Sequence, residues 1–141
     1  MHAIQFPVVS SVTAGVLIIF QMLLLLAVVF GRYRYRQGLG DGGNPGLLRA
    51  MRRHGNLAEN GAIFVVCAAL LEMMGGTRET LEILCGVFLA ARLFHAFGLT
   101  IGSGPNLFRF LGVLGTFGAC VGVGWRLIVI ALPQLHGGYL P

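Results

Sequence analysis

The sequence predicts an all-α integral membrane protein, a bundle of four transmembrane helices, and three observations carry that reading. The composition is 56% hydrophobic and 11% charged, with a mean hydropathy of +0.82, whereas a water-soluble domain has roughly 25% charged residues. The chain divides into four segments rich in apolar residues, each long enough to supply the about 20 residues needed to cross a hydrocarbon core. Clusters of glycine with proline, asparagine or threonine separate the runs, and such clusters break helices. The chain reads as a single domain over residues 1–141, with helices expected at about 8–30, 47–74, 79–99 and 107–132.

The first helix is the plainest. No charged side chain occurs from Ala3 to Gly31, and Val8 to Phe30 is long enough to span. A cleaved signal peptide has a basic start and a shorter apolar run. Met1-His2-Ala3 has no basic residue, so the helix is expected to be retained. Arg32-Tyr33-Arg34-Tyr35-Arg36 then marks a membrane–water interface, and Gly38 to Gly46 reads as a loop. The second helix is polar in its first half (Arg49, Arg52, Arg53, His54, Asn56, Glu59, Asn60) and apolar from Ala62 to Leu71. At 1.5 Å per residue it is about 40 Å long, so it crosses the bilayer and projects beyond it.

Gly75-Gly76-Thr77-Arg78 is a tight turn, with Thr77 as the N-cap of the third helix. That helix carries Arg92 and His95 towards its end. Gly102 to Asn106 breaks the chain again, and the fourth helix is closed by Pro133. Its glycines Gly112, Gly115, Gly118 and Gly122 recur every three or four residues and line one face. Small residues at that spacing let membrane helices approach closely, so helix packing is their expected role rather than ligand binding.

The net charge is +5 and every basic residue is an arginine. Nucleic-acid binders display lysine and arginine on a polar face; here the arginines sit between or inside apolar runs, which excludes that class. Arginine's planar fork suits carboxylates and phosphates, so acidic lipid headgroups or an anionic small ligand fit better. Cys67, Cys85 and Cys120 lie in apolar segments without metal-ligand spacing, so they read as packing residues and no metal is implied. Four spans place both termini on one side. The other side holds Arg32, Arg34, Arg36, Arg49, Arg52, Arg53 and Arg109, and the positive-inside rule assigns it to the cytoplasm.

Ionisable residues at membrane depth are costly, and they usually face the bundle interior and mark function. Arg49, Arg52, Asn56, Glu59 and Ile63 follow one another at steps of three and four, which is one face of one helix. Arg92 and His95 share a face of the third helix, and Arg109 opens the fourth. Two readings stand open. One is a structural ion-pair network with Glu59 neutralised by Arg52 or Arg92. The other is an anion site, because Glu59 is the single acid among five arginines.

The stretch Arg49-Ala-Met-Arg52-Arg-His-Gly-Asn56-Leu-Ala-Glu59-Asn60 resembles the second-helix signature of the MAPEG family, the membrane-associated proteins in eicosanoid and glutathione metabolism. The basic first loop, the Arg-x-x-His of the third helix and the length are similar too, and the glycine-rich form looks most like the bacterial branch of microsomal glutathione transferases. The resemblance implies a homotrimer in the bacterial inner membrane, with glutathione as co-substrate bound between subunits near the cytoplasmic side. It implies that Arg49, Arg52, Asn56, Glu59 and Asn60 hold glutathione, with Arg32, Arg34, Arg92 and His95 contributing. Arg109 is implied to stand by the thiol as the catalytic residue. His54 and His95 read first as hydrogen-bonded packing residues and only second as ligand contacts.

Two functions follow as expectations. The first is a glutathione-dependent transferase or peroxidase that activates the thiol as thiolate for attack on a small hydrophobic electrophile from the lipid. The second is a non-catalytic trimer of the same scaffold that binds lipid or another acidic metabolite. Leu99 stands where the eicosanoid enzymes carry tyrosine, so prostaglandin and leukotriene synthesis are not implied. A small multidrug exporter is excluded, since its mechanism needs an acid inside the first helix. Glu72, Glu79, Glu82 and Arg126 are expected at the surface or at subunit contacts.

Overall fold

The structure, a computed structural model, describes residues 6–137. The Met1-His2-Ala3 start, on which retention of the first helix was argued, lies outside the described residues. Four helices run in chain order: α1 (Val8–Tyr35), α2 (Pro45–Met73), α3 (Arg78–Ile101) and α4 (Leu107–Gly137). Each is long and apolar enough to cross a membrane, and the described residues contain no strand.

Local chemistry sets the helix ends. α1 runs on past Phe30 through the arginine–tyrosine segment and stops where Arg36 turns left-handed at φ 51°. α2 starts two residues before Leu47, because Asn44 accepts from Gly46 N (2.9 Å) and Leu47 N (3.1 Å), with Pro45 at the first position. Asparagine at the cap followed by proline is a favoured start, since proline lacks a donor where none is needed. Thr77 caps α3 by accepting from Thr80 N at 3.3 Å. α4 does not close at Pro133: the proline sits inside the helix, which continues to Gly137. Membrane helices tolerate such a proline because neighbouring groups re-satisfy the freed carbonyl.

α1 packs chiefly on α2 and α4 chiefly on α3, and among the described residues the backbones of α1 and α4 do not approach closely. The core lies between the pairs: Leu17 and Leu24 of α1, Leu57, Phe64 and Leu71 of α2, Leu81 and Phe88 of α3, Val123 of α4. Phe64 and Phe88 stack with ring centroids 3.8 Å apart. Only 22% of the most apolar stretch of α1 and 17% of that of α4 is buried. A soluble protein would not leave so much greasy surface uncovered, so these faces meet lipid or other subunits.

The glycine face of α4 is used within the chain. A Cβ at Gly112 would stand 2.7 Å from the His95 backbone N, at Gly115 2.9 Å from Ala91 Cβ, and at Gly122 2.7 Å from the Leu84 side chain. Three of the four glycines therefore seat α4 on α3, and Gly118 faces open space. Packing is their role, as expected, but the partner is α3 of the same chain, so they add nothing to an argument for a trimer.

Glu72 departs from expectation. It is not a surface residue but is 9% exposed, with Oε1 accepting from Val9 N (2.9 Å) and Oε2 from Ser10 N (2.9 Å) and Ser10 Oγ (2.7 Å). α1 has no side-chain cap of its own. The start of a helix leaves four N–H groups unbonded, and α2 supplies the missing acceptor.

Candidate functional site

A cleft of about 310 Å³ opens at the end of the bundle that holds the α1–α2 and α3–α4 loops. From α2 it is lined by Arg49, Arg52, Asn56 and Glu59, from α3 by His95 and Leu99, from the loop after α3 by Ser103 and from the first turn of α4 by Arg109. The periodicity of α2 puts its four polar residues on one wall. Ile63, next on the same face, is 64% exposed and points outward, beyond the cleft.

Glu59 is exposed and belongs to no ion pair; among the described residues the one ion pair is Arg78–Glu82. The structural network in which Arg52 or Arg92 neutralises Glu59 is therefore absent. The reason is directional: Glu59 lies on the outer edge of the α2 face, while Arg92 is buried on its inner side. Arg92 Nη1 donates to Asn56 Oδ1 (2.7 Å) and Asn56 O (3.3 Å). Its Nη2 donates to Gly112 O (3.3 Å) and to Thr116 Oγ1.

Arg109, Arg49 and Arg53 are held by neutral oxygens. Arg109 Nη1 donates to Ser103 O (2.8 Å) and Gly104 O (2.9 Å), and its backbone N donates to Asn106 Oδ1 at 3.0 Å, which caps α4. Arg49 Nη1 lies 3.4 Å from Ser103 Oγ, and Arg53 Nη1 donates to Thr100 Oγ1 at 2.8 Å. Both tie α2 to the end of α3.

The structure thus gathers Arg49, Arg52, Asn56, Glu59, His95 and Arg109 around one space and leaves five other residues outside its wall. Arg92 lies behind Asn56. Asn60 Nδ2 donates back to Asn56 O at 3.1 Å on its own helix. Arg32 Nη1 donates to the carbonyls of Gln37, Gly38 and Gly40 and so folds the first loop. Arg34 is exposed, 6.0 Å from the Tyr35 ring centre. His54 is half-buried and its carbonyl accepts from Gln21 Nε2.

Sequence reasoning missed Ser103, Gly112 and Thr116, which hold Arg49, Arg109 and Arg92. Spacing marks Gly112 only as a packing residue and marks Ser103 and Thr116 not at all; the packing of α3 on α4 brings Gly112 and Thr116 to Arg92.

Chemically, the cleft has three guanidinium groups, one carboxylate, a carboxamide and an imidazole. Excess positive charge with a single anionic corner fits a small ligand that carries more carboxylate than ammonium.

Inner membrane protein YecN of Escherichia coli (strain K12) is 38% identical over 91 residues, 64% of this chain and 69% of YecN. YecN of Escherichia coli O6:H1 matches to the same extent. No solved structure matches the chain significantly. The sequence model of the MAPEG family matches residues 10–129, which reaches into all four helices and covers the whole cleft. With the motif on one wall of that cleft and the match running from α1 into α4, the chain belongs to the MAPEG family, integral membrane proteins of glutathione and eicosanoid metabolism.

Proposed function

We propose that this protein is a membrane-bound, glutathione-dependent transferase or peroxidase acting on hydrophobic electrophiles. One observation carries the reading: the cleft sets Arg49, Arg52 and Arg109 against a single carboxylate, Glu59. Glutathione has two carboxylates, one ammonium and a thiol. Its ammonium pairs with Glu59, its carboxylates take Arg49, Arg52 and the Asn56 amide, and its thiol comes to Arg109.

A free thiol has a pKa near 8.5, so it is mostly protonated at neutral pH, and the thiolate is the nucleophile. An arginine that lowers the pKa by two units supplies about 2.7 kcal/mol of differential stabilisation. The thiol proton leaves to water, and the thiolate then attacks an electrophilic carbon presented from the lipid. A C–S bond forms as the leaving group departs with its electron pair. In the peroxidase form the thiolate attacks a hydroperoxide oxygen, and a second glutathione completes reduction to alcohol, water and the disulfide.

The site is completed by a second copy of the chain in a trimer. Glu59 and Arg52 are exposed on a helix that lies in the membrane, where uncovered charge is costly. An apolar groove of about 490 Å³ beside them, floored by Ala14, Ala58, Gly61 and Ala62, offers close approach to another helix. The arginine-rich end faces the cytoplasm of a bacterial inner membrane, with both termini on the far side.

A second reading is a non-catalytic trimer that binds lipid or another acidic metabolite. It is favoured by Arg109, whose Nη1 is engaged by two loop carbonyls. Purified protein mixed with glutathione at neutral pH separates the two. The enzyme reading expects ultraviolet thiolate absorbance, lost in Arg109→Leu with only a modest change in affinity. It also expects Glu59→Gln to weaken binding itself. Binding without thiolate and without conjugation of an aryl halide would leave the binder reading.

A further inference from the structure

Arg92 is 4% exposed, the least exposed ionised side chain among the described residues, and no acid pairs with it. A guanidinium has only donors, so the Asn56 atom 2.7 Å from Nη1 must be the carboxamide oxygen. The orientation of the Asn56 amide is therefore fixed by chemistry.

Arg92 is itself held from the far side. Nη2 donates to Gly112 O and Thr116 Oγ1, and Thr116 Oγ1 also donates to Gly112 O at 2.7 Å. That carbonyl is within reach because Gly112 lets α4 rest on the backbone of His95. The Phe88 ring, stacked on Phe64, lies 5.6 Å from the guanidinium carbon. Asn56 lines the cleft and Arg92 does not. The Asn56 oxygen is thus committed behind the wall. Its NH2 group donates to no group among the described residues, and it is not a buried unsatisfied atom.

We infer that Arg92 is a positioning residue, which locks Asn56 with its NH2 turned into the cleft and so makes this wall select ligands that present a carboxylate. The specificity part of this rests on the ligand-binding reading of the cleft given above. An NH2 group accepts no hydrogen bond, so a ligand ammonium or hydroxyl donor gains nothing there, while a carboxylate gains a charge-assisted bond. The neighbouring cation also polarises the carboxamide and strengthens its donor. A freely turning asparagine would serve donors and acceptors alike. The locked one discriminates between them.

The experiment uses detergent-purified full-length protein, the variants Arg92→Lys and Thr116→Val, and two readouts. Lysine keeps the charge but loses the fork; Thr116→Val loosens Arg92 without touching Asn56. The first readout is the Asn56 side-chain amide signal in nitrogen-15 spectra, assigned by its loss in Asn56→Ala. The second is the affinity ratio between glutathione and its analogue with the glycine carboxylate replaced by a neutral carboxamide, measured by calorimetry.

The expected result is a single fixed amide signal in the wild type that broadens in both variants. The ratio should fall about tenfold in Arg92→Lys, equivalent to about 1.4 kcal/mol, and fall less in Thr116→Val. Equal loss of affinity for both ligands, or an unchanged amide signal and ratio, would overturn the inference. If Arg92→Lys does not fold, Thr116→Val decides by the same criterion. The amide readout needs no ligand. A wild type that binds neither compound refutes the glutathione reading alone, and the amide signal then decides whether Arg92 locks Asn56.

Discussion

Removing the Glu72 carboxylate should unseat the start of α1, and the size of the effect follows from its three contacts. Val9 N, Ser10 N and Ser10 Oγ all donate to it, at 2.9, 2.9 and 2.7 Å. A hydrogen bond to a charged group contributes about 1.5–3 kcal/mol, and a donor left without an acceptor costs about 1–3 kcal/mol. The three contacts share one carboxylate and are not additive, and Val9 is only half-buried, so part of the loss is recovered by water. Glu72→Ala should then cost about 3–5 kcal/mol. Glu72→Gln keeps one acceptor oxygen and should cost about half as much. Ser10→Ala removes only the hydroxyl and should cost about 1 kcal/mol. Thermal unfolding in mild detergent gives the order of the three variants. Hydrogen exchange at Val9 and Ser10 gives the location, with protection lost first at these amides. A Glu72→Ala protein as stable as the wild type, or a Ser10→Ala as damaging as Glu72→Ala, would refute this account of a cap supplied from another helix.

The glycine face of α4 gives an internal control: Gly112→Ala forces a Cβ to 2.7 Å from the His95 backbone and should destabilise by about 1–3 kcal/mol. Gly118→Ala meets nothing within 4 Å and should be neutral or stabilise by up to about 1 kcal/mol through helix propensity, both read by thermal shift. Self-association has its own check: native mass spectrometry in mild detergent should show a trimer, and a monomer alone would remove the shared cleft.

How far the sequence reaches depends on the range of the interaction. The four spans were legible because crossing lipid imposes a length and a composition on each segment separately. The α2 wall of the cleft was legible for a similar reason: Arg49, Arg52, Asn56 and Glu59 share a face by helix geometry alone. What could not be read was which neighbour each polar group meets. Arg92 was expected at the ligand, but only the packing of α3 against α2 and α4 shows it turned to Asn56 and Thr116. The α4 glycines announced a close contact without naming α3 as the partner. Glu72 carried a signal that could have been used: a carboxylate in the last turn of a helix opposes that helix's own dipole, so its place is better explained by another helix start. The Asn44-Pro45 pair was likewise a helix start, obscured by the glycines around it.

The way the arginines are held has a consequence for the charge of the cleft. The chain has ten arginines and five acids. Glu72 is committed to the amides of α1, Glu82 to Arg78, and Asp41 Oδ1 to Gly43 N at 3.1 Å in the first loop. Glu79 lies in the first turn of α3, at the opposite end of the bundle. Arg32, Arg53, Arg92 and Arg109 are consequently fixed by carbonyl, hydroxyl and amide oxygens. Such contacts restrict a guanidinium's orientation but leave its net charge in place, whereas a carboxylate partner would cancel it. A carboxylate arriving from outside also makes a stronger bond than a neutral carbonyl does, so it can draw Arg109 from the Ser103 and Gly104 carbonyls. Within the cleft, Arg49 and Arg109 are thus held by neutral oxygens without being neutralised. Had Glu59 folded inward to pair with Arg92, the same residues would have made a closed, neutral core. Because it stays on the outer edge, the positive wall and the single carboxylate remain available to a ligand that carries both charges.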